Sequence, residues 1–227
     1  METASEPIIE IRNLILSNAD PTRQVDPIRL AIHRGEMAVI GSDDPLDGRH
    51  LLRVLATLDQ PWRGKYRFKG KRVEMNRYRQ CLGIKRQIGY VATDAALISN
   101  RTLRENLLLM RFYHENDLNI DLDETVRNLC NEAALASKLD QRPAALSGTE
   151  LLKAVAIREI AKSPAVMLLE NPETFLEAKN TDGLFQQLKK MRRKGSAVVF
   201  STNDSKLAGL ANRRLTLVDG QLQASPT

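Results

Sequence analysis

Apolar and polar positions along this chain switch from a strand-like period to a helix-like one and back again. Ile8-Ile9-Glu10-Ile11-Arg12-Asn13-Leu14 and Ile28-Arg29-Leu30-Ala31-Ile32 read as strands, with a turn from Asn18 to Pro27 between them. Gly35-Glu36 opens a third strand, whose apolar run Met37-Ala38-Val39-Ile40 ends at Gly41, and an apolar helix is predicted from Leu51 to Leu58. Lys65-Tyr66-Arg67-Phe68-Lys69 alternates charge with aromatic rings, the period of a half-buried strand. Such a stripe has the form of a base-stacking surface, but two rings on one face are more commonly core. Gln87 to Ala92 is a further short strand.

From Thr102 to Lys162 the period becomes helical. Leu103, Leu107 and Met110, then Leu122, Val126, Leu129 and Ala133, then Leu151, Ala154, Val155 and Ile157 mark amphipathic helices. Strand and helix alternate again beyond them, with strands at Val166–Leu169, Ala197–Ser201 and Arg214–Val218, a helix at Leu184–Met191 and a turn at Asp219-Gly220. Alternation of this kind predicts a largely parallel α/β sheet interrupted by a helical insertion. The expected organisation is a single domain over 1–227, with an α/β core and β subdomain from about 1–93 and 163–222, a helical subdomain from about 94–162, and a loose tail beginning near Gln221 and confined at least to 223–227.

Between Gly41 and Leu51 the chain has the strand–loop–helix setting of a phosphate-gripping loop, whose pattern is G-x-x-x-x-G-K-[ST]. That chemistry needs bare backbone N–H groups, a Lys for the phosphates and a hydroxyl for magnesium. Here Pro45 removes one N–H, Asp43, Asp44 and Asp47 occupy the loop, and no Lys-Ser/Thr pair precedes Leu51. Two like charges 4 Å apart repel by roughly 4 kcal/mol at an effective dielectric of ~20, so these carboxylates oppose a triphosphate unless turned away or neutralised. The three could hold a divalent ion, although a solvated turn is the simpler reading.

Composition narrows the picture further. The formal net charge is +6 over 227 residues, which admits nucleic acid or an anionic membrane surface as partner. Runs of cations are spread over Lys65–Arg86, Arg192–Lys194 and Arg213-Arg214, where solvated faces are the simpler reading, and no nucleic-acid partner is expected. Cys81 and Cys130 have no metal spacing and imply no disulfide framework, which points to a reducing compartment. No apolar run approaches the ~20 residues of a membrane-spanning helix, and the N-terminus lacks a signal-peptide core. His33, His50 and His114 are isolated and propose no zinc site. Asp121, Asp123 and Glu124 match a calcium loop only in density; acids favouring a helix start explain them better.

Taken in order, the segments from Ile8 to Leu222 resemble the ATP-binding cassette (ABC) ATPases. Ala145-Leu146-Ser147-Gly148-Thr149-Glu150 is similar to the family signature LSGGQ or LSGGE, and Leu151 to Arg158 to the helix after it. Ala165 to Thr174 resembles the Walker B strand with its D-E-P-T ending, Thr174 to Glu177 the D-loop, and Val198 to Asp204 the switch segment that usually ends T-H-D. The resemblance implies a P-loop NTPase-like fold: a mixed sheet core, an antiparallel β subdomain and an inserted helical subdomain. Asp94 to Leu107, of the form ALISNxTLxENLxL and running on to Arg111-Phe112-Tyr113-His114, resembles cassette subunits of mammalian-cell-entry (MCE) type lipid transporters. An ordinary capped amphipathic helix accounts for the same residues.

Carried across residue by residue, the family's catalytic positions hold other chemistry. The P-loop Lys falls on Gly48 and the magnesium-binding Ser/Thr on Arg49, in a loop that reads one residue longer than the family's. The γ-phosphate-sensing Gln falls on Thr93. The Walker B Asp is Glu170, whose longer arm still suits a metal. The general base is Asn171, a carboxamide that does not take a proton from water at neutral pH. The switch His is Asn203, and no adenine-stacking aromatic stands at Asn18 or Ala19. Gly41, Gly48 and Arg49 are what is left of the phosphate loop, with Arg49 and His50 its only basic candidates.

Ser147 and Glu150 form a capping box, sufficient reason in itself for those residues. The resemblance adds that Ser147 and Gly148 contact the γ-phosphate of ATP held by a partner subunit, an anion suited to a helix N-terminus; Thr149 in place of a second Gly narrows that approach. The expectation is therefore a catalytically degenerate ABC subunit on the cytoplasmic side of a membrane, docked on a transmembrane permease and paired with an active cassette subunit, or with itself. No cofactor follows from this chain's own loop; ATP with magnesium belongs at the interface with the partner. The rival expectations are an active ATPase with atypical motifs and a non-transport ABC relative that binds nucleic acid.

Overall fold

The computed structural model describes residues 6–16, 26–114, 120–177, 182–218 and 221–224. Expectations at Asn18, Ala19, most of the 18–27 turn and Asp219-Gly220 lie outside them.

Two sheets are formed. The first is antiparallel, with strands β1 (Ile9–Ile15), β2 (Ile28–Ile32), β4 (Arg63–Phe68) and β5 (Lys71–Val73) in the order β2-β1-β4-β5. The second contains β3 (Met37–Ser42), β6 (Ile88–Val91), β7 (Val166–Glu170), β8 (Ala197–Ser201), β9 (Arg213–Val218) and β10 (Gln221–Ala224), in the order β10-β9-β3-β8-β7-β6. Only the β10–β9 pairing in it is antiparallel, so the sheet is mixed, as the resemblance implied.

β3, β7 and β8 are continuous apolar runs because both faces of the sheet are covered. Ala38, Ile40, Val166, Leu168, Ala197 and Val199 face one core, shared with the antiparallel sheet and helix α1 (Pro45–Leu55). Met37, Val39, Met167, Leu169, Val198 and Phe200 face the other. That second core also takes the apolar stripes of α3 (Leu103–His114), α4 (Glu124–Glu132), α5 (Gly148–Ala161) and α6 (Gly183–Arg193). Tyr66 and Phe68 are buried, and the Tyr66 hydroxyl donates to Leu55 O at 2.8 Å, so the aromatic stripe is core. Asp123 caps α4 by accepting from Val126 N and Glu124 stands in its first turn, as expected of acids at a helix start, while Asp121 pairs with Arg104 and Arg127.

Some expectations need correction. α1 begins at Pro45 rather than Leu51: its buried stripe is Leu51, Leu52, Val54 and Leu55, so its polar first turns give no apolar signal. Gln221 to Ala224 is a paired strand and not a loose tail. Elements that no pattern announced are β5, α2 (Tyr78–Lys85) and α7 (Ser205–Ala208); in α2 only Cys81 is buried. Met110 is half-buried and outside the core, whereas Leu151, also half-buried, packs against the second core as its stripe implied.

Candidate functional site

The parallel strands β6, β7, β8 and β3 end side by side, the edge of an open α/β sheet where ligands bind. Their last residues and the loops beyond them bring together Gly41, Ser42, Arg49, Thr93, Glu170, Asn171 and Asn203. Register explains the meeting: Ser201 pairs with Ile40 on one side and with Glu170 on the other.

Only Asp43 and Asp44 separate β3 from α1. Asp44 is the N-cap, its carboxylate accepting from Leu46 N at 2.8 Å, and Pro45 takes the first helical turn, where a missing N–H costs nothing. The Asp44 carbonyl accepts from Ser42 Oγ at 2.6 Å and from Asp47 N at 3.1 Å. Asp47 adds an acid to the first turn, favourable at the positive end of the helix. Asp44 and Asp47 thus serve the helix start itself. Gly48 lies within α1, where an added Cβ would stand 3.3 Å from Ser42 Cβ.

Asn203 closes the end of β3. Its Oδ1 accepts from Ser42 N at 3.4 Å and its Nδ2 donates to Ser42 O at 3.2 Å. Beside it, Thr202 Oγ1 donates to Glu173 Oε2 at 2.8 Å, and Asp204 caps α7. Asn171 sits at φ +39 and ψ 55, left-handed backbone that Asn tolerates better than most residues. Phe175 and Leu176 of the following segment are buried in the core.

Glu170 ends β7 with only 2% of its surface exposed. Its carboxylate accepts from the Tyr90 hydroxyl, from Thr93 N at 3.1 Å and from Thr93 Oγ1 at 3.3 Å. The Arg49 guanidinium lies 3.8 Å from it and donates to Asp94 at 2.6 Å. That bond holds the Asp94 carboxyl below its usual range and raises Arg49; burial, then the bond to Glu170, raise Tyr90. One tethered cation therefore stands between two carboxylates at the strand ends. Sequence reasoning named Thr93, Arg49 and Glu170 but missed Tyr90 and Asp94 as their partners; adjacency to Thr93 was the available signal for Asp94.

Ser147 and Gly148 are elsewhere. Among the described residues, no hydrogen bond or ion pair joins them to the strand-end group. Ser147 Oγ accepts from Glu150 N at 3.3 Å, and Glu150 accepts from Ser147 N at 2.8 Å and from Lys138 Nζ at 2.7 Å. The Lys138 ammonium and the Ser147 amide hold the Glu150 carboxyl down at about 2. Ser147, Gly148 and Thr149 are exposed, and nothing lies within 4 Å of a Cβ added at Gly148.

The ABC transporter family model matches residues 25–174, and the chain belongs to that family as an ATP-binding cassette domain. It is 28% identical over 214 residues to the lipoprotein-releasing system ATP-binding protein LolD of Shewanella frigidimarina, covering 91% of this chain and 88% of that protein. It is 27% identical over 196 residues to the macrolide export ATP-binding/permease protein MacB of Campylobacter jejuni, of which the match spans only 30%. The fold is that of the dimeric bacterial ABC transporter cassette MJ0796, with a TM-score of 0.80 at 22% identity, covering 95% of this chain and 96% of that one. A post-hydrolysis dimer of MJ0796 bound to ADP and Pi gives a TM-score of 0.79 at 22% identity, covering 96% and 97%.

Proposed function

We propose that this chain is a catalytically degenerate ABC subunit that docks on a transmembrane permease and pairs with an active cassette subunit. One observation carries the reading: the strand ends that would face a nucleotide are bound by the chain's own side chains. Asn203 takes both the backbone N–H and the carbonyl of Ser42, Asp44 takes the Leu46 N–H, and Arg49 bridges Asp94 and Glu170. ATP would have to displace these contacts without a P-loop Lys, and Asn171 offers no base to activate water.

The exposed Ser147-Gly148 end of α5 fits the complementary role, completing the site in which a partner subunit holds magnesium and ATP. The 94–162 segment acts as the helical lobe that meets the permease, against a core of 1–93 and 163–222. No helix among the described residues is long and apolar enough to cross a membrane, so the permease supplies the attachment to the inner face. Lipid-type cargo is favoured by the Asp94–Leu107 resemblance to MCE-type cassettes and by the LolD relative, a lipoprotein-releasing component.

The test is reconstitution with the permease and an intact cassette subunit encoded beside it. Transport and ATP turnover should require this chain yet survive Glu170→Gln and Asn171→Asp in it. Full transport by the partner and permease alone defeats the proposal. Single-turnover hydrolysis by the isolated chain favours instead an active enzyme with atypical motifs.

A further inference from the structure

The positive charge of this protein is concentrated in one stretch. Trp62 to Arg86 holds ten Lys and Arg against a single acid, Glu74, a net +9. Since the whole chain carries +6, everything outside the stretch sums to −3. The stretch forms β4, β5 and α2: β4 pairs with β5, and Cys81 of α2 is buried in the same core cluster as Tyr66, Phe68 and Val73. Gln60 Nε2 donates to Met75 O at 3.5 Å, and Glu74 N donates to Gln80 Oε1 at 3.4 Å, which tie the entry of β4 to the first turn of α2.

Neutralisation within the stretch is sparse. Arg72 reaches Glu74 at 2.8 Å and Arg67 reaches Glu10 at 3.9 Å, but among the described residues Arg77, Arg79, Lys85 and Arg86 make no ion pair. Apolar groups stand among these cations: Trp62 is 67% exposed, Tyr78 66% and Leu82 42%. Tyr78, Leu82 and Lys85 fall on one stripe of α2 by helical spacing, which the C-cap Arg86 continues, with the Lys85 ammonium 5.6 Å from the centre of the Tyr78 ring.

We propose that the β4–β5–α2 face binds an anionic lipid surface. Cations attract the headgroups, while Trp62, Tyr78 and Leu82 enter the headgroup layer, where amphipathic rings and aliphatic side chains gain by leaving water. Nucleic acid fits less well, because Leu82 has no ring to stack on a base and occupies the same stripe as the cations. The proposal rests on the permease-docked reading only for location, since that reading brings the chain within reach of the inner leaflet.

Vesicle sedimentation without any permease tests it. The full chain should bind phosphatidylcholine vesicles containing phosphatidylglycerol and not those of phosphatidylcholine alone, with affinity falling as salt rises. Arg77→Gln with Arg79→Gln should weaken binding about 30-fold, since each basic residue near such a surface adds roughly fivefold. Tyr78→Ser with Leu82→Ser should weaken it at unchanged salt dependence, and Arg192→Gln with Arg193→Gln at the end of α6 should leave it unaltered. Thermal melts of the variants report folding independently. Equal binding to both vesicle types, no loss in the α2 variants, or tighter binding to single-stranded oligonucleotides than to anionic vesicles would overturn the proposal. If permease assembly persists without vesicle binding, this inference fails alone.

Discussion

The start of α1 and the start of α5 carry the same raw chemistry, a helix end with backbone N–H groups and a positive dipole. The protein disposes of them differently. At α1 the loop acid Asp44 serves as the cap, Asn203 clasps the residue that ends β3, and Arg49 draws in Asp94 and Glu170. At α5 the capping box is complete but the surface in front of Gly148 is open. The lesson is that a helix N-terminus is an anion site only where something keeps it clear. In this account the chain has filled its own anion site with its own carboxylate and left the other to a partner.

The contrast can be broken by mutation, with the largest effect at Glu170. Glu170→Ala leaves the Tyr90 hydroxyl and Thr93 N–H without their acceptor and should cost about 3 kcal/mol in urea unfolding, whereas Glu170→Gln, which keeps an acceptor, should cost about 1. Asn203→Ala removes both bonds to Ser42 and should cost about 1–2 kcal/mol by the same measurement. Ser147→Ala removes a cap and should cost about 1 kcal/mol in the isolated chain. In the assembled transporter the same change should lower ATP turnover roughly tenfold or more, a loss that stability alone does not produce.

The smallest effect is a pH dependence. The Glu150 carboxyl sits lower in the folded chain, at about 2, than the ~4.3 of a free Glu side chain. Its contribution to stability is therefore complete above pH ~4.3 and lost as the pH falls towards about 2. Glu150→Gln should flatten the stability profile in that window and leave it unchanged near neutrality apart from a constant offset.

Much of the scaffold was legible because burial on both faces writes continuous apolar runs, as at Met37–Ile40, Val166–Leu169 and Ala197–Phe200. What escaped had little buried surface to announce it: α2 with Cys81 as its one buried residue, β5 at three residues, and the polar first turns of α1. The substituted positions could be named from local motifs. Their partners could not, since Arg49 meets Asp94 across 45 residues and Tyr90 meets Glu170 across 80, and no periodicity encodes such a pairing. Likewise the direction in which Asp44 points was a matter of helix capping, where charge alone suggested repulsion of a ligand.

Calorimetric titration of the isolated chain with magnesium–ATP separates strand ends occupied by the chain's own side chains from an open nucleotide site. Self-occupied strand ends give no saturable binding, with any Kd weaker than about 1 mM, and no change on Arg49→Ala. Saturable binding with a Kd near 10 μM or tighter, abolished by Arg49→Ala, would contradict that occupation.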